Sequence, residues 1–204
     1  MELIGIVLAA GDSSRMGSPK ALLRYQGGSF AQVILDRMAE AGISRRILVL
    51  GRNHDAVIQD GCLGGVTGLM TVVNPDPDRG QLSSLQAAVL QLVEEGNELP
   101  SALVALVDHP TVETQTYRTL LHAWQSRGGA AVYLSRCRGK RGHPIVVGAD
   151  ALARVLDLPA TAQMREAVHR PGVERIDVEV SDIGVNRDVD TPGDYEALLR
   201  PGRS

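Results

Sequence analysis

Cysteine is nearly absent. Only Cys62 and Cys137 occur in 204 residues, far apart and with no CxxC or Cys/His spacing, so neither a disulfide framework nor a zinc-ligand pattern is present. Both thiols are expected to be reduced. Long apolar runs are also missing: none approaches the roughly 20 residues of a membrane span. The opening MELIGIVLAAG lacks a basic segment and runs straight into glycine, unlike a secretory signal; the expectation is a cytoplasmic protein with no membrane partner. There is no cationic excess, since 21 Lys and Arg stand against 24 Asp and Glu for a net charge of −3. That balance argues against a nucleic-acid partner and for a small-molecule one. Neither internal repeats nor low-complexity linkers occur. With 44% hydrophobic residues, a chain of this length can bury one substantial core, and one domain over residues 1–204 is expected.

Short apolar runs alternate with stretches of helical period, the pattern of a mostly parallel sheet flanked by helices in an α/β fold. Strands are expected at Leu3–Ala9, Arg46–Leu50, Leu69–Val73, Ala102–Val107, Ala130–Leu134, Pro144–Val147 and Glu174–Val178. Helices are expected at Phe30–Ala41, Gln81–Glu95, Thr114–Gln125 and Thr191–Leu199. The run Asn74-Pro-Asp-Pro-Asp-Arg-Gly80 reads as a loop, because its prolines lack donors and push their predecessors out of helix. In open parallel sheets ligands bind beyond the carboxyl ends of strands, so the loops found there carry functional weight.

The first such loop is LAAGDSSRMGSPK, beginning at Leu8. It is neither a Walker loop, which needs GxxxxGK[ST], nor the dinucleotide fingerprint GxGxxG. Gly11 nevertheless permits close backbone approach, and Arg15 with Lys20 could neutralise phosphate oxygens; a solvated βα turn is the alternative. In ALVALVDHP, Asp108 ends an apolar strand, placed either to hold a cation or to cap a helix. His109 follows it without an evident partner. In GVNRDVDTPGDYEALL, Thr191, Pro192 and Asp194 read as a helix start. Asp188 and Asp190 lie at alternate positions of an extended segment, as a carboxylate pair or as a solvated acidic loop. RGQLSSLQAAV sets Gly80, Gln81, Ser83 and Ser84 at a helix start, to read a base or merely to cap. RGKRGHPIVVG sets Arg138, Lys140, Arg141 and His143 before a strand, as a hairpin or as a receiver for an anionic substrate.

Taken in order, LAAG-x-S-x-R-M-G-x-x-K, the Gly80–Leu85 loop, Asp108, Arg-Gly-His-Pro at 141–144 and Asp-Val-Asp-Thr-Pro at 188–192 resemble the MobA-like nucleotidyltransferases, in particular the molybdenum-cofactor cytidylyltransferases. The resemblance spans nearly the whole chain. It implies a Rossmann-like three-layer fold and transfer of a nucleotidyl group from a nucleoside triphosphate to a phosphorylated acceptor, with release of pyrophosphate. By position it implies base and ribose contacts at Leu8, Ala9, Ala10, Gly11, Gly80 and Ser84, and triphosphate contacts at Arg15 and Lys20. Mg2+ would be held at Asp108 and Asp190, and the acceptor side would lie near His143. LAAG, where guanylyl members show LAGG, implies CTP. His109 departs from the methionine or glutamine common in relatives and is placed with His143 on the acceptor side. The implied acceptor is molybdopterin, with a molybdoenzyme as recipient of the product. A sugar, polyol or phospholactate acceptor, or a non-catalytic cofactor carrier, are the competing readings.

Overall fold

The computed structural model describes residues 2–11, 16–96, 98–159, 162–168 and 172–200. Among these, seven strands form one sheet: β1 (Leu3–Ala9), β4 (Arg46–Leu50), β5 (Leu69–Val73), β6 (Ser101–Leu106), β7 (Val132–Cys137), β8 (Lys140–Val147) and β9 (Arg175–Glu179). Their order across the sheet is β5-β4-β1-β6-β8-β7-β9. A two-residue pair, β2 (Arg24–Tyr25) with β3 (Gly28–Ser29), stands apart from them. All neighbours in the large sheet are parallel except β8, which is antiparallel to both β6 and β7.

Strand alternation builds two layers of core. Ile4, Ile6 and Leu8 of β1 point to one face, where they meet Leu82, Leu85, Val89 and Leu92 of α3 (Gln81–Glu94). Val7 points to the other and meets Phe30, Ile34 and Met38 of α1 (Phe30–Glu40) together with Tyr117 and Leu120 of α4 (Thr114–Arg127). Ile4 and Ile6 are wholly buried, and burial of such side chains contributes about 1.5–3 kcal/mol each. The remaining helices are α2 (His54–Asp60), α5 (Ala149–Ala153), α6 (Met164–Val168) and α7 (Pro192–Leu199).

Most of the expected elements are present within one or two residues of their expected ends. α1 starts where Ser29 caps it, accepting from the Gln32 N–H at 3.2 Å. α7 starts with a capping box: Thr191 Oγ1 accepts from the Asp194 N–H, and the Asp194 carboxylate accepts from the Thr191 N–H. One expectation needs correction. The cationic stretch does not precede a strand but belongs to it, because β8 begins at Lys140 rather than Pro144. Arg138 and Gly139, at φ +50° and +79°, form a two-residue turn that lets Cys137 pair with Lys140 and Arg136 with Arg141. Positive φ at both central residues matches the twist of the strands they join.

Candidate active site

The register of the central strands brings distant loops together. Leu8 lies beside Leu106, and the Val107 N–H donates to the Leu8 carbonyl at 3.1 Å. Ala10-Gly11 and Val107-Asp108 therefore leave the sheet side by side at its carboxyl edge, the position expected of a ligand site. A cleft of about 190 Å³ opens there. Leu8, Ala10, Gly11 and Lys20 form one wall, Gly80, Gln81 and Ser84 a second, and Asp108 a third. Ala9 faces an adjoining smaller recess with Pro19, Arg52 and Asn53.

Lys20, in a 3-10 turn spanning Lys20–Leu22, reaches across this edge. Its Nζ lies 2.5 Å from Asp190 Oδ1 and 3.4 Å from Asp108 Oδ2. The lysine side chain is 14% exposed, against 22% for Asp108 and 37% for Asp190. Among the described residues, one ammonium thus lies between two carboxylates. Asp108 Oδ1 is moreover buried without a hydrogen-bond partner, an arrangement normally costly unless a ligand supplies the missing contact. Helix capping does not explain Asp108, because α4 begins later, with Glu113 at its N-cap.

The segment that carries Asp190 is pinned from three sides. Asp182 accepts from the Glu113 N–H, the Thr116 hydroxyl and the Gly184 N–H, each at 2.8 Å. A Cβ placed on Gly142 of β8 would lie 1.9 Å from the Val185 carbonyl oxygen, so only glycine lets the segment lie so close. The Val189 N–H then donates to the Asp108 carbonyl at 2.8 Å. On the far side of the Asp108 loop, Arg37 of α1 donates to the Pro110 and Val112 carbonyls.

The two histidines expected on the acceptor side are neighbours, with ring centroids 6.0 Å apart. His109 Nδ1 is 3.3 Å from the Gly184 carbonyl, and its Nε2 is 3.7 Å from Asp108 Oδ1, a partner that the sequence does not disclose. Burial and then the nearby His109 push the His143 imidazole down to about 4, with partial compensation from a hydrogen bond involving the Val104 backbone. His143 is therefore neutral near pH 7.

Leu8, Ala10, Gly11, Lys20, Gly80, Ser84 and Asp108 thus converge on one cleft, and Asp190 joins them through Lys20. Arg15 lies outside the described residues. Asp188 is exposed, whereas Asp190 two positions on is partly covered, so the two carboxylates do not act as an equal pair. Two residues that organise the site, Asp182 and Asn74, carry no motif of their own. Asp182 follows Val180-Ser181 with no helical or strand period to mark it, and Asn74 is visible only as a loop residue.

A cleft at the carboxyl edge of a mostly parallel sheet, edged by one lysine and two carboxylates, defines a nucleotide-handling α/β enzyme. Residues 5–176 match the family described as "MobA-like NTP transferase domain". The chain is 30% identical over 193 residues to the molybdenum cofactor cytidylyltransferase of Escherichia coli strain K12, covering 93% of this chain and 92% of that protein. It is 31% identical over 205 residues to the nicotine blue oxidoreductase of Paenarthrobacter nicotinovorans, covering 96% and 95%. The crystal structure of Rv0371c from Mycobacterium tuberculosis H37Rv superposes with a TM-score of 0.78 at 27% identity, over 99% of this chain and all of that one. The chain belongs to the MobA-like NTP transferase family and is a nucleotidyltransferase. No helix among the described residues is long and apolar enough to cross a membrane.

Proposed function

We propose that the protein transfers CMP from CTP to the terminal phosphate of molybdopterin, giving the cytosine dinucleotide form of the cofactor and pyrophosphate. The observation that carries this reading is the convergence of Lys20 with Asp108 and Asp190 beside the Ala10–Gly11 and Gly80–Ser84 walls of the cleft. The choice of CTP and of molybdopterin draws on the sequence resemblance and on the cytidylyltransferase relative.

The donor set fits Mg2+. Both candidate ligands are carboxylates, and Asp108 Oδ1 is buried without accepting a hydrogen bond. A site of two carboxylates would suit a hard cation with oxygen ligands. Bound there, Mg2+ would supply charge neutralisation for the triphosphate.

The chain's own groups do the positioning. Ala10, Gly11, Gly80 and Ser84 hold the base and ribose against the sheet edge, which orients the α-phosphate for in-line attack by the acceptor phosphate oxygen. Lys20 exchanges carboxylate for phosphate as its partner and offsets the charge that builds on departing pyrophosphate; Arg15 is assigned the same task. No general base is needed, since a phosphate monoester is already ionised near neutral pH. His109 and His143 line the acceptor side, His143 as a neutral ring.

Oxidoreduction of nicotine blue, named for the second relative, gives no reason for a lysine held between two carboxylates, and we do not extend it to this chain. Incubating the protein with Mg2+, molybdopterin and each of the four ribonucleoside triphosphates tests the reading. A cytosine dinucleotide with equimolar pyrophosphate is expected. Product with sugar or polyol phosphates but not with molybdopterin would reassign the acceptor, and tight cofactor binding without pyrophosphate would make the protein a carrier.

A further inference from the structure

The wall of the cleft formed by the start of α3 contains a buried network with a fixed direction. Asn74, Ser83 and Ser84 are each 4% exposed. The Asn74 side-chain Oδ1 accepts from the Asp76 N–H at 3.0 Å. A backbone N–H can only donate, so this contact sets which end of the amide is oxygen. The Nδ2 end must then face the serines, and it donates to Ser83 Oγ at 2.8 Å and to Ser84 Oγ at 3.0 Å. Both amide protons are thereby used. Ser83 spends its own proton on the Gly80 carbonyl at 2.8 Å, with the Asp76 carbonyl further off at 3.3 Å. Ser84 differs: its oxygen accepts from Asn74, while no acceptor for its proton occurs among the described residues, and the side chain lines the cleft.

We propose that Asn74 is a specificity-determining positioning residue, which fixes Ser84 as a hydrogen-bond donor into the cleft. The ligand atom seated on Ser84 is then an acceptor, such as the carbonyl oxygen or unprotonated ring nitrogen of a pyrimidine base. An unconstrained serine hydroxyl reads donors and acceptors alike, because it can rotate to suit either. With Asn74 occupying one of its two lone pairs and no acceptor for its proton among the described residues, Ser84 has its donor still to place, and a base presenting an N–H there instead of an acceptor leaves that hydroxyl proton unpaired. Asn74 itself does not line the cleft; it is fixed in place by its own N–H, which donates to the Leu50 carbonyl at 2.8 Å.

The inference rests on the nucleotide-binding reading of the cleft, and calorimetric titration without acceptor separates the two. The probes are CTP and inorganic tripolyphosphate, both with Mg2+, and the readout is the ratio of their affinities, in which any effect on the triphosphate cancels. Asn74→Asp keeps the acceptor for the Asp76 N–H but offers only acceptors to the serines, so it draws the Ser84 proton away from the cleft. The ratio is expected to fall about tenfold, the worth of one buried hydrogen bond. Ser84→Ala should lower it by a similar factor, and the double variant no further. Asn74→Ala, which adds no charge, guards against a fold-breaking Asn74→Asp and should lower the ratio too. An unchanged ratio in the folded Asn74 variants, with Ser84→Ala still lowering it, would overturn the inference alone. A wild-type protein that binds CTP no tighter than tripolyphosphate would overturn the base-reading cleft and the inference with it.

Discussion

The N–H of Val189 donates to the carbonyl of Asp108 at 2.8 Å, joining two loops that lie far apart in sequence. The bond sets the spacing between the end of β6 and the segment that delivers Asp190, and Lys20 closes the same gap from the side-chain direction. The two carboxylates are thus positioned by backbone, with Asp182 as the clamp behind them.

Asp182→Ala tests that clamp. The change leaves the Glu113 N–H, the Thr116 hydroxyl and the Gly184 N–H without their acceptor, the last two in a buried place. Each buried stranded donor costs about 1–3 kcal/mol, so denaturant unfolding should show a loss of about 2 kcal/mol or more. A loss below about 1 kcal/mol would mean that the segment is held by Gly142 packing and the Val189 bond instead.

Lys20→Ala should reduce turnover by a factor on the order of 100 or more, the effect of removing one charge-stabilising group. Steady-state pyrophosphate release measures it. A rate within a few-fold of wild type would remove Lys20 from the chemistry and leave it as a tie between Asp108 and Asp190.

Asp108→Asn separates metal binding from folding. The substitution keeps shape and removes charge at a side chain that caps no helix, so the melting temperature should stay near wild type while Mg2+-dependent turnover disappears. Full activity in that variant would exclude Asp108 as a metal ligand.

Acid should destabilise the fold through His143. Its imidazole is depressed to about 4 in the folded state, whereas the unfolded ring titrates near 6.5. Between those values the unfolded chain binds the extra proton, so stability is complete above about pH 6.5 and declines as pH falls towards 4. The shift corresponds to about 3 kcal/mol. Urea unfolding at pH 7 and pH 4.5 should show this decline, and His143→Gln should flatten it.

Much of the fold can be read from periodicity, because the elements that pack on the sheet bury a full face. β1, β4 and β5 match their expected bounds, and α1 and α3 differ by one residue at the end. α2 escapes such reading because only Val57 of its seven residues is buried. The hairpin start of β8 escapes it because Lys140 and Arg141 are exposed and cationic, and only its turn geometry makes them strand. In the site, Lys20, Asp108 and Asp190 were legible as chemistry in loops after strands. Asp182 and Asn74 were not, since each acts on backbone groups and hydroxyls brought near by folding, as in the contact of Asp182 with Thr116. The contact of His109 with Asp108 likewise depends on how the loop turns back, with the His109 N–H donating to the Leu106 carbonyl.

In the proposed reaction this cleft joins CMP to a phosphorylated pterin. The direct measurement mixes the protein with Mg2+, CTP and molybdopterin and follows pyrophosphate and cytosine dinucleotide together over time. Both are expected to appear in equal amounts, chelation of Mg2+ is expected to stop both, and Asp190→Asn is expected to behave as chelation does. Dinucleotide formation that survives the loss of Asp190 and of Mg2+, or no pyrophosphate from any triphosphate in the wild-type protein, would contradict it.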